Sequence, residues 1–201
     1  MKKKRIRLEI EPAAAVMLTA MLLTDRTGLA LAAVLAAAVH EMGHLAAAKG
    51  LRIPVRSLRF HMLGAGLEPG GRPLGYGEEF LLCAAGPMAS FLFAILPAPL
   101  WVSSAFAAQL SCASLALGLL NLLPIRSFDG GRMLNCALCA KTSPAVADTV
   151  LTATSLIFLF LLWATAVYLL LRAGDGLSLW CFSMSLFSRF FSALKREDSG
   201  E

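Results

Sequence analysis

His40-Glu41-Met42-Gly43-His44 lies inside an otherwise apolar stretch running from Gly28 to Ala48. On an α-helix, residues four apart stand nearly above one another, so the imidazoles of His40 and His44 can share one tetrahedral ion. Glu41 sits beside that ion. It cannot easily be a third ligand from the same turn, but it can take a proton from the water that such an ion activates and hand it on. Two histidines and a glutamate could meet by chance. An ionisable residue at the centre of a membrane helix, however, costs about 2.5–3.5 kcal/mol on insertion scales and is usually kept for a purpose. Two of the three histidines in the chain are here, and the stretch reads as a zinc site on a membrane helix.

Composition supports the membrane setting. The chain has 201 residues, 58% of them hydrophobic, with a mean hydropathy of +0.71, too apolar for an ordinary soluble domain. The net charge of +5 does not mark a nucleic-acid binder. Its basic residues cluster at the ends of apolar segments instead of forming a stripe with interleaved aromatics. Five cysteines, mostly within apolar segments, make no disulfide framework, and Cys136-x-x-Cys139 has no second pair to complete a structural zinc site. The basic start Met1-Lys2-Lys3-Lys4-Arg5 is followed by the alternation Ile6, Leu8, Ile10, which is a strand period and not the apolar core of a signal peptide.

The expected fold is an all-α polytopic membrane protein of five to six transmembrane helices with a small membrane-surface β-sheet. It forms one membrane-embedded domain over residues 1–201. Residues 1–12 give an N-terminal strand ended by Pro12, and 13–48 hold the first two helices, Pro12–Leu23 being short and Gly28–Ala48 carrying the metal motif. Residues 49–77 form a basic, glycine-punctuated cytoplasmic strand and loop region, in which His61 reads as an interfacial histidine of a strand. The third and fourth helices occupy 78–132, near Phe80–Val102 and Ala105–Leu123, with no charge between Glu79 and Arg126. Gly86-Pro87 within the third removes a backbone hydrogen bond and lets a neighbour come close, which serves packing and can shape a cavity. A fifth helix spans 149–171, and 177–196 forms an interfacial or sixth helix.

The positive residues of short loops set orientation. The N-terminal cluster, the Lys49–Arg72 loop, and Arg126, Arg132 and Lys141 all fall on one side, which places the N-terminus in the cytoplasm. His40 then lies roughly 13 Å along the helix from Lys49, within reach of water from that side.

A catalytic zinc needs a third protein ligand and an open position. The candidate is Asp129, in Ser127-Phe128-Asp129-Gly130-Gly131-Arg132. Alone, Asp-Gly-Gly is an ordinary turn. Beside the histidine pair, the two glycines would allow a turn that presents the carboxylate to the ion and balances its charge.

At these residues the sequence resembles the site-2 protease family of intramembrane zinc metalloproteases, peptidase family M50, and within it the small bacterial group typified by stage IV sporulation protein FB. The resemblance spans most of the chain. The family's H-E-x-x-H is His40 to His44, and its Asp-Gly motif is Asp129-Gly130, implying that Asp129 is the third ligand and Glu41 the catalytic base. Gly86-Pro87 matches the family's Gly-Pro in the intervening helix, and the N-terminal strand with the 49–76 loop matches its surface sheet. Ser90 stands where many relatives have Asn, and Ser127-Phe128 replace the common Pro-Leu; neither departure is expected to touch a ligand or the base. No PDZ or CBS domain is expected in the remainder.

These readings imply an intramembrane zinc endopeptidase with one Zn2+ per chain, held by His40, His44 and Asp129. It would hydrolyse peptide bonds in or next to transmembrane segments of membrane-inserted or membrane-associated protein substrates, as a multi-pass protein of a bacterial inner membrane. Its partners would be the lipid bilayer, that substrate and an unidentified regulatory membrane protein, with no nucleic acid. The alternative is a catalytically silent membrane zinc-binding regulatory protein, which loss of Glu41 would have marked. A metal transporter would want further ionisable residues along a path through the helices, and Gly28–Ala48 and Phe80–Ile125 supply none beyond the site.

Overall fold

The computed structural model describes residues 7–10, 12–61, 64–70, 72–173, 183–188 and 190–192. The chain divides into two compact units, residues 1–122 and 123–201.

In the first unit, β1 (Arg7–Ile10) pairs in parallel with β2 (Val55–His61), and β2 pairs antiparallel with β3 (Gly64–Pro69), giving the order β1-β2-β3. Parallel neighbours need a crossover connection. Here it is a helical hairpin made of α1 (Pro12–Thr24) and α2 (Leu29–Gly50). The hairpin turns on Asp25, whose Oδ1 accepts from the backbone N–H groups of Thr27 and Gly28 and from the Thr27 hydroxyl, while Oδ2 accepts from Ala30 N–H. Gly28 takes φ +84° at the entry to α2, a left-handed conformation that favours glycine. These hydrogen bonds, led by the Thr27 N–H, hold the Asp25 carboxyl down to about 2 from 3.8. A small sheet and the expected first strand are thus present, and His61 ends β2 opposite Gly64.

The two remaining helices of this unit are α3 (Tyr76–Ile95), followed by a 3-10 turn at Ala98–Leu100, and α4 (Ala105–Asn121). The third helix therefore ends before the Phe80–Val102 limit expected of it, because Pro97 and Pro99 break the ladder. Helices α2, α3 and α4 pack on one another through small residues. On α2 the buried row is Ala32, Ala36, His40, His44 and Ala48, every fourth position. Facing rows are Cys83, Gly86, Ser90 and Ala94 on α3, and Ala107, Ser111, Ser114 and Gly118 on α4. Such rows let backbones approach where lipid removes any hydrophobic drive between helices. A Cβ added at Gly43 would lie 2.5 Å from the Ala85 carbonyl oxygen, and one at Gly118 would lie 2.9 Å from Phe91. Large side chains such as Leu31, Leu35, Met88, Leu92 and Ile95 point outward, as a lipid-facing surface requires.

In the second unit, α5 (Asp129–Cys139) packs on α6 (Pro144–Ala173). The segment before α5 is tied down by Arg126, whose backbone N–H donates to Ser155 Oγ at 2.9 Å and whose guanidinium pairs with Asp148 and reaches Thr152. The turn expected at Gly130-Gly131 is instead the first turn of α5. A Cβ at Gly131 would collide with the Ile125 carbonyl oxygen, so this glycine serves the close approach of the preceding loop, not a reversal of the chain.

Among the described residues, three helices are long and apolar enough to cross a membrane: Leu29–Gly50, Tyr76–Leu100 and Pro144–Arg172. Helix α4, with 17 residues, reaches about 26 Å, short of a hydrocarbon core of about 30 Å. With 13 residues, α1 is shorter still. Residues 183–188 and 190–192 are helical. The rest of the 177–196 segment, including Ser178, Trp180, Arg189 and Arg196, lies outside the described residues.

Candidate metal centre

Helix α2 brings His40 and His44 one turn apart on its buried face, with 4% and 8% of their surfaces exposed. Their rings meet edge to face at a centroid distance of 4.9 Å, and the two Nε2 atoms stand 3.2 Å apart. Both outer nitrogens are engaged by α3. His44 Nδ1 lies 2.8 Å from the Leu82 carbonyl oxygen and His40 Nδ1 lies 2.9 Å from Ser90 Oγ.

A carbonyl oxygen can only accept, so the His44 Nδ1–H donates to Leu82, and in the neutral ring the lone pair then lies at Nε2. Pro87 removes the donor for the Cys83 carbonyl, the neighbour of Leu82 in the same turn of α3. Gly86 completes the arrangement. A Cβ there would overlap His44 Nε2 and lie 2.7 Å from His40 Nε2, so only glycine leaves room in front of the two nitrogens.

These features fit a metal ion. Two nitrogens each about 2.0–2.1 Å from one tetrahedral ion stand about 3.3 Å apart, close to the 3.2 Å observed. Outer-shell hydrogen bonds on Nδ1 are how ligating imidazoles are normally held. Glu41 follows His40 on α2 and is half-buried. Asp129 is the first residue of α5 in the second unit, where the positive end of the helix dipole favours a carboxylate.

Two participants escaped the sequence. Ser90, expected to stand clear of the ligands, is fully buried against His40. The Leu82 partner is a backbone atom, on which the side chain at that position is silent. Ser90 had one signal, a position four residues after Gly86 and hence on the same face of α3.

The fold and the paired histidines define a class: a membrane-type helical protein with two buried imidazoles, suited to a metal ion, between packed helices. The model of peptidase family M50 matches residues 98–164. Among solved structures, the chain is similar to the site-2 protease from Methanocaldococcus jannaschii, at 21% identity and a TM-score of 0.61, over 96% of this chain and 92% of that one. A comparison with curated proteins found no match. The family model thus covers one third of the chain, and the structural likeness shows a shared fold.

Proposed function

We propose that the protein is an intramembrane zinc endopeptidase that cleaves peptide bonds in or next to transmembrane segments of membrane-associated proteins. The observation that carries this reading is the pair of Nε2 atoms 3.2 Å apart, each imidazole anchored through Nδ1 to α3. We assign the ion to His40, His44 and Asp129, an assignment supported by the donor chemistry: two neutral imidazoles and one carboxylate, a set suited to zinc with an open fourth position.

Zinc, when bound, would supply Lewis acidity toward water and the scissile carbonyl. The chain's own residues do the remaining work. Glu41 takes a proton from the attacking water and returns it to the leaving amine, which balances the hydrolysis. Leu82 and Ser90 keep both rings facing inward, and Gly86 keeps the approach open. A helical substrate must unwind before attack, and an outer strand of the β1-β2-β3 sheet offers free backbone groups for strand addition. The setting we infer is a bacterial inner membrane with the N-terminus in the cytoplasm, supported by the basic residues of the Lys49–Arg72 loop.

The test is Glu41→Gln in purified, reconstituted protein, with products from single-span substrates mapped by mass spectrometry. Glutamine keeps size and hydrogen bonding but not basicity, so zinc should stay while cleavage falls by about 10²–10⁴-fold. Cleavage at the parental rate would remove Glu41 as the base and the hydrolytic mechanism with it.

A further inference from the structure

We propose that Ser90 is a positioning residue for the metal centre: its hydroxyl accepts the Nδ1–H of His40 and so commits the His40 Nε2 lone pair to the ion. The inference rests on the zinc reading above and assigns to α3 the control of zinc affinity.

The two histidines are held by partners of different kinds. His44 faces a carbonyl, which can only accept, so its tautomer has no alternative. His40 faces a hydroxyl, which can donate or accept. If Ser90 donated, Nδ1 would be the acceptor and the proton would sit on Nε2, where it would occupy the position needed by a metal. An ion on Nε2 leaves the ring proton on Nδ1, so with metal bound the Ser90 hydroxyl can only accept from His40. Gly86, four residues before Ser90, keeps this part of α3 close to both rings. Ser90 is fully buried, and its Cβ lies 3.1 Å from where a Cβ on Gly118 would be. Helix α4 therefore packs against the Ser90 side chain.

Loss of such an outer partner typically lowers metal affinity about 10–100-fold. Ser114 provides an internal control. It too is fully buried among the helices, but its hydroxyl donates to the Leu110 carbonyl, away from the histidines.

The experiment is zinc affinity by chelator competition on the full-length protein in detergent, for the parent, Ser90→Ala, Ser90→Thr, Ser114→Ala and His40→Ala. We expect Ser90→Ala to bind zinc about 10–100-fold more weakly, Ser90→Thr to recover most of that loss because it keeps the hydroxyl, and Ser114→Ala to match the parent. Ser90→Ala at parental affinity, with His40→Ala impaired, would overturn the role of Ser90 and leave the zinc reading standing. An equal loss in Ser90→Ala and Ser114→Ala would assign the effect to packing and overturn it too. A parent whose zinc binding is indifferent to His40→Ala would instead overturn the zinc reading itself.

Discussion

Gly86 of α3 stands so close to His40 of α2 that a Cβ at position 86 would lie 2.7 Å from His40 Nε2. The space in front of the two imidazoles is therefore made by an absent side chain. Gly86→Ala adds a better helix former by about 1 kcal/mol, so damage to the helix would not explain a defect. We expect zinc affinity to fall at least tenfold, with metal-free stability changed by no more than the ~1–3 kcal/mol typical of overpacking. Chelator competition and thermal unfolding of the same preparation measure both. Parental zinc affinity in this variant would mean that the rings can turn aside.

Direct ligands should matter more than the residues that orient them. His40→Ala and His44→Ala are each expected to weaken zinc by more than about a hundredfold, the upper end of what outer partners contribute. Asp129→Ala should do the same if the carboxylate at the start of α5 is the third ligand. Metal analysis showing one zinc per chain in the Asp129→Ala protein would move that ligand elsewhere.

Orientation follows from the basic residues between α2 and α3. A reporter fused after Arg59 should be active only in its cytoplasmic form if, as proposed, Lys49, Arg52, Arg56, Arg59 and Arg72 place that loop inside. Activity only of the external form would reverse the side from which water reaches His40.

The α1–α2 turn should carry an acid-dependent part of the stability. Asp25 is lowered to about 2 in the folded chain from 3.8. A depressed carboxyl contributes stability that is present above the unfolded value and lost as pH falls through the folded one. Unfolding midpoints of the parent and Asp25→Ala should therefore differ at neutral pH and converge as pH is lowered from 3.8 toward 2. A constant difference across that window would show that the turn does not depend on the charged form.

What the sequence by itself determined was everything carried by short-range periodicity. The four-residue spacing of His40 and His44 is a property of one helix, so their shared face was legible before any fold. Alternation marked β1, and apolar runs marked α2, α3 and α6, because each pattern reports burial within a few residues of chain. Asp129-Gly130-Gly131 misled for the same reason. Local propensity favours a turn there, whereas the contact between Gly131 and the Ile125 carbonyl belongs to the loop folding back on α5. Only the tertiary structure decided what surrounds the histidines. Ser90 is fifty positions from His40 along the chain, and Leu82 contributes a carbonyl that any residue would carry. Both reach the rings because small residues let α2 and α3 approach closely, and a hydrogen bond between two packed helices leaves no periodic trace in either one.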